Sequence, residues 1–256
     1  GDLSPLVVGV TLATSTASAA TFIITPGFVY VHGLSAWMHL GVSVFFGILF
    51  MLLLLSYSFR RQGEKMHALT IPDWIGKRYQ SRGFALYFAI LNLLAFAFIV
   101  LLVGGISIVL QDLLHIDNNT ALIITLVFVT SYVILGGTYA HVYTNMFQGF
   151  LMVGISLLII GAMAKTYFFD GVEVGQILEQ KDPQLLGLLN SGSSLFNNTF
   201  SVYISGFVIG AALVCQPHIL TKALYVKRDR DITRYIIVFA VTFLLFTLLL
   251  LAGLFA

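Results

Sequence analysis

Nine consecutive residues drawn only from Ala, Ser and Thr (Ala13 to Thr21, ATSTASAAT) sit inside a strongly apolar stretch, and Pro26-Gly27 follows closely. Hydroxyls and backbone carbonyls are the hard oxygen donors that a small cation or a polar solute needs. The run has two readings of equal weight. Small residues let neighbouring helices approach closely in lipid. A helix interrupted near mid-bilayer would instead free its carbonyls and hydroxyls to line a site. A second irregular stretch has Gly206, Gly210, Ala211 and Ala212 followed by Cys215-Gln216-Pro217-His218. Pro217 removes a backbone donor and clashes with the preceding turn, which predicts a kink or a break. Metal-site spacing of His, Cys, Asp or Glu is absent from the sequence, as are a supported Ser-His-Asp set and a phosphate loop. The chemistry is therefore non-covalent binding, and no enzyme activity is expected. Asn92 and Asn145 are expected to be interhelical hydrogen-bond partners, His39 and His141 to lie near interfaces, and His218 to be structural.

The elements that must position these residues are membrane helices. Of the 256 residues 59% are hydrophobic and 9% are charged, against about 25% charged in an average soluble domain. Lipid must be the solvent for much of this surface. The net charge of +2 is too small to argue for nucleic acid, and one cysteine, Cys215, excludes an internal disulfide. With about 20 apolar residues per span, the charge-free stretches predict seven: two in Leu3 to Phe59 with a turn at Gly33, one in Gly83 to Gln111, two in Asn118 to Ala164 separated at Gly136-Gly137, one from Phe200, and one in Tyr235 to Ala256. The loops after spans two and six carry the Lys and Arg clusters, whereas those after three and five are acidic. That pattern predicts Gly1 on the cytoplasmic side and Ala256 on the outer side. Short surface helices are expected at Ile71-Pro72-Asp73-Trp74-Ile75 and within 171 to 190. Two interrupted spans, the first and the sixth, lie five apart, as in transporters built from two inverted five-helix repeats.

Four segments carry a family resemblance: ATSTASAATFIITPGFVYVHG at 13–33, LTIPDWIGKRY at 69–79, YVILGGTYAHVYTNMFQG at 132–149 and CQPHILTKALYVK at 215–227. In this order they resemble the sodium:solute symporter family, which includes the bacterial sodium/proline symporter and the sodium/glucose cotransporters. The resemblance implies an all-α multi-pass membrane protein with part of a leucine-transporter-type five-plus-five inverted repeat. It implies one transmembrane domain over 1–256, with a first repeat at 1–168, an outer loop at 169–197 and the start of a second repeat at 198–256. Both ends look cut, with three C-terminal helices of the same protein expected as partners. Carried over on Pro26, the family's sodium site implies the backbone carbonyls of Thr14 and Ala17 as Na+ ligands. Solute contacts are implied at Ser15, Thr16, Ser18 and Ala19, and at Cys215 and Gln216. Two positions depart from the family pattern. Asn145 stands where many members carry Asp, which argues against a second coupled ion, and Cys215 replaces a Gly.

The implied activity is secondary active transport in the cell (inner) membrane: sodium-coupled symport of a small polar organic solute by alternating access. The alternative is a symporter-like membrane sensor of a bacterial signalling protein. A seven-helix retinal protein fits poorly, because a Schiff-base lysine is missing from Tyr235 to Ala256.

Overall fold

The computed structural model describes residues 3–17, 20–66, 68, 70–171 and 173–256. The chain is an all-α multi-pass membrane protein, with no strand among the described residues. Four helices are each long and apolar enough to cross a bilayer: Leu34–Gly63, Asn118–Gly137, Val142–Phe168 and Asp229–Leu254. A fifth span is the bent pair Phe200–Val214 and Pro217–Tyr225. The other two expected spans are each divided into shorter helices. The first holds α1 (Pro5–Thr16) and α2 (Thr25–His32), and the third holds α6 (Arg82–Leu93) and α7 (Ala95–Leu114). The division of the third span was not expected. Neither proline nor glycine marks it; the bonding passes through an i→i−3 contact, from Leu94 N–H to Leu91 O.

Two compact units make up the chain, Gly1–Gln62 with Asn145–Ala256, and Gly63–Thr144. In the first, Ser4 caps α1 by accepting the Val7 N–H, and Pro5 occupies the first turn, where its missing donor costs nothing. Gly33, with φ +72°, ends α2, and a Cβ there would lie 2.1 Å from Leu185 O. Only glycine tolerates both the angle and the contact. The second span follows: α3 (Leu34–Trp37), a π-helical turn at Met38–Ser43 and α4 (Val44–Met66). The outer segment folds as α9 (Val174–Lys181) and a 3-10 turn at Pro183–Leu186. The sixth span then runs through a π-helical turn at Phe200–Ile204, α10 (Ser205–Val214), α11 (Pro217–Leu220) and a 3-10 turn at Thr221–Tyr225. The seventh is α12 (Asp229–Leu249), continued by a 3-10 helix, Leu250–Leu254.

Close approaches set the directions within this unit. Gly9 meets Tyr235 and Val238, and Gly253 meets the Pro26 carbonyl, so spans one and seven run parallel. His39 lies against Ser201, Ser43 against Gly206 and Gly47 against Ala211, so spans two and six also run parallel. The two pairs are antiparallel to each other. The Leu3 N–H at the start of span one bonds Tyr225 O at the end of span six. Arg60 and Arg61, near the end of span two, both reach Asp229 at the start of span seven, at 2.7 and 2.5 Å. Arg60 Nε also donates to Val226 O at 3.1 Å. At the opposite end, His39 Nδ1 lies 2.7 Å from Ser201 O, and His32 meets Ser193 and Asn190. His39 is thus near one end of its span, as expected; the His141 side chain lies outside the described residues.

The second unit contains the short helix expected after span two, α5 (Ile71–Tyr79). Thr70 caps it by accepting the Asp73 N–H, and Asp73 pairs with Lys77 at 2.8 Å. Asp117 caps the start of α8 (Asn118–Phe168). The hydroxyl and amide of Thr120 both donate to Asp117, and these bonds hold its carboxyl below the usual carboxylate range. Gly137 (φ +54°) interrupts α8 at the expected glycine pair. α6 buries no residue, and Leu94, Val100 and Leu135 are largely exposed. Such surfaces need lipid or further helices as their solvent.

Candidate functional site

The first span breaks inside the Ala/Ser/Thr run. Ala17 leaves the helix with φ −81° and ψ 123°, and its N–H bonding Ala13 O at 2.8 Å is the last described bond of α1. Helix geometry makes the carbonyls of Thr14, Ser15, Thr16 and Ala17 the terminal acceptors of α1. The chain resumes as a π-helical turn at Ala20–Ile24 and then as α2. Thr14 and Ala17 are both buried, so their carbonyls face a medium of low dielectric. In such a medium an ion–dipole contact is stronger than in water. The close approach to span seven lies outside the run, at Gly9, one or two turns earlier.

The hydroxyls at the break do not act alike. Those of Thr14, Ser15 and Thr16 each donate to the carbonyl four residues back, at 2.9, 2.7 and 2.8 Å. Their lone pairs remain as acceptors. Ser15 uses one to accept Asn145 Nδ2 at 3.1 Å, the interhelical role expected for Asn145. Thr14 faces Gly149, where a Cβ would come within 2.6 Å of its hydroxyl. Thr16 turns the other way, into a cavity of about 180 Å³. Thr16, Thr21, Thr25 and Thr247 are the polar residues of its lining, and Leu40, Ile48, Ile209, Leu213, Phe243 and Phe246 are among its apolar walls. Phe22 stacks edge-on against Phe246, tying the π-helical turn to span seven. All the lining residues are uncharged.

The sixth span bends by 67° between Val214 and Pro217. Cys215 N–H bonds Ala212 O at 3.0 Å and Gln216 N–H bonds Leu213 O at 3.1 Å. Gln216 is extended, and its carbonyl accepts the amides of Ile219 and Leu220, which open α11. The structure thus brings one expected solute residue, Thr16, into the cavity. Ser15 points to the fifth span, and Cys215 and Gln216 follow Leu213, the last wall residue of span six. Ser18 and Ala19 lie outside the described residues.

Thr25, Phe243, Phe246 and Thr247 were not anticipated, and Thr21 was marked only as the last residue of the Ala/Ser/Thr run. Thr247 had a legible signal, a hydroxyl within an apolar span. Its backbone is held from span two, where Trp37 Nε1 donates to Thr247 O at 2.9 Å as α12 tightens into its 3-10 end. A Cβ on Gly41 would lie 2.9 Å from Thr247 Cγ2. Trp37→Phe removes that donor and keeps most of the ring volume. Losing one such bond, about 1 kcal/mol, is expected to lower the melting temperature of the purified protein by roughly 2–4 °C, read by thermal unfolding in detergent.

Comparisons with known proteins place the chain in a family. The sequence profile described as Sodium:solute symporter family matches residues 1–256. The chain is similar to the sodium/pantothenate symporter of Escherichia coli, 29% identical over 93% of this chain and 48% of the relative. It is also similar to the high-affinity proline transporter PutP of Bacillus subtilis, 26% identical over 91% of this chain and 48% of that protein. Rabbit (Oryctolagus cuniculus) sodium/glucose cotransporter 1 matches at 33% over 36% of this chain and 14% of its own length. The chain spans about half the length of the first two of these relatives.

Proposed function

This chain belongs to the sodium:solute symporter family, and from that premise we propose that the protein containing it couples inward sodium movement to uptake of a small polar organic solute. Sodium and solute are both cargo, and binding favours one orientation of the cavity over the other. The observation that carries the reading is the interruption of α1 at Ala17 beside a largely apolar cavity that Thr16, Thr21, Thr25 and Thr247 help to line. Sodium would sit at the carbonyls of Thr14 and Ala17, completed by oxygens from the remainder of the protein. Thr16 would contact the solute, with Ser15, Ser18, Ala19, Cys215 and Gln216 grouped around the two breaks. The named relatives are transporters, which favours transport over sensing. The alternating directions of the spans in the first unit support the proposed topology in the cell membrane, with the Arg60–Asp229 end inside and the His32–Ser193 end outside. The repeat boundaries proposed from the family pattern, 1–168 and 198–256, accord with breaks in spans one and six.

Pantothenate and proline, the solutes in the relatives' names, each carry a carboxylate and further polar groups. The test is uptake of labelled pantothenate, proline, acetate and glucose by the full-length protein in proteoliposomes, with and without an inward sodium gradient. At least one solute is expected to accumulate only with the gradient. Uptake of every solute indifferent to sodium would overturn the coupling.

A further inference from the structure

Lys222 lies in the 3-10 turn that ends the broken sixth span, and it is 2% exposed. Its Nζ has no hydrogen-bond partner among the described residues. An ammonium removed from water and left unpaired is strongly unfavourable, so a lysine so placed calls for an anion in some state of the transport cycle. The acids that follow it most closely in sequence, Asp229 and Asp231, are already engaged. Asp229 is shared by Arg60 and Arg61, and Asp231 faces Arg234 at 3.7 Å. Lys227 and Arg228 add further positive charge at this end. The cavity, by contrast, is lined without a charged side chain, and its sixth-span wall, Ile209 and Leu213, ends just before the bend. Past the bend, the same span leads to Lys222.

We propose that Lys222 is an inner station for the solute: its ammonium receives a carboxylate of the solute after the solute leaves the threonine-lined cavity for the cytoplasmic side. This rests on the transport reading above and narrows it, because the solute must then be a carboxylate. The cavity binds it through hydroxyls and backbone with sodium nearby, and the lysine offers a competing charge partner on the way out. A carboxylate could also come from the remainder of the protein, and sidedness of the effect separates the two sources.

The test uses full-length protein in proteoliposomes, with KM measured separately at the outer and cytoplasmic faces for whichever of pantothenate, proline or acetate is carried. Lys222→Gln is expected to raise the cytoplasmic-face KM about tenfold or more, as for loss of one partner of a desolvated charge pair, with the outer-face KM within about twofold. Lys222→Arg keeps the charge and is expected to stay within about threefold at both faces. Equal losses at both faces, or the same loss in Lys222→Arg, would identify a partner within the protein and overturn the proposal. Unchanged kinetics in Lys222→Gln would also overturn it. Should Lys222→Gln fail to fold, the wild type decides through competition from the cytoplasmic face. The carboxylate must compete at least about tenfold better than its neutral alcohol or amide, and equal competition sinks the idea. Sodium-driven uptake of glucose alone would leave the symport reading standing and remove this one, whereas no sodium-driven uptake at all would remove the symport reading itself.

Discussion

Thr16→Val is expected to raise the solute KM of the full-length protein about tenfold or more, while Ser56→Ala changes it by less than about twofold. Valine copies the shape of threonine, so the cavity wall keeps its form and only the hydroxyl is lost. That hydroxyl bonds Leu12 O within its own helix and keeps lone pairs to accept with, and Thr16 is part of the cavity's lining. A solute group deprived of a buried partner costs about 1–3 kcal/mol, or roughly five- to 150-fold in affinity. Ser56 is equally inaccessible, at 0% exposure, but it does not line the cavity. The backbone carbonyls of Thr14 and Ala17 survive the change, so the sodium concentration giving half-maximal uptake at saturating solute should move much less than the solute KM. Parallel shifts in both would mean that Thr16 supports the fold of the break and does not touch the solute. Initial-rate uptake over a matrix of sodium and solute concentrations measures both.

Gly210→Val is expected to lower the melting temperature of the purified protein by on the order of 10 °C or to prevent its recovery from the membrane. A Cβ at Gly210 would stand 2.1 Å from Val44 O, and one at Gly47 would stand 2.1 Å from Phe207 O. Both obstacles are backbone, which cannot rotate away. Spans two and six pack with carbonyls almost touching the facing α-carbons, an arrangement that lipid favours because no hydrophobic force separates helix from tail. Overpacking a tight core typically costs about 1–3 kcal/mol, and a clash with backbone belongs at or above the top of that range. Gly154→Val, in the fifth span, meets nothing within 4 Å and is the control, with no shift expected. Detergent melting followed by size-exclusion chromatography reads both. A Gly210→Val protein as stable as the control would refute the close crossing of these spans.

The amino-acid order determined the architecture because each signal for it is local. A bilayer admits few backbone solutions, so apolar length alone located the spans. Gly33 and the Gly136-Gly137 pair marked turns, and Pro217 marked the bend of the sixth span, because these residues act on their own backbone. The break at Ala17 was legible as one of two alternatives, since a run of small hydroxylated residues serves close packing and unwinding alike. The contact of Thr14 with Gly149 in span five and the extended residue at Ala17 show that this run of the chain serves both purposes. The division at Leu94 had no local signal and could not be read.

Which way each hydroxyl faces was decided only by the tertiary structure. Ser15 and Thr16 are neighbours in sequence, about 100° apart around a helix, yet one meets Asn145 and the other the cavity. Thr247 joins the same cavity from more than 200 positions away because spans one and seven run side by side and Trp37 holds its carbonyl. The isolation of Lys222 is likewise invisible in sequence, where Asp229 lies close by. Only the folded chain commits that acid to Arg60 and Arg61 and leaves the lysine without one among the described residues.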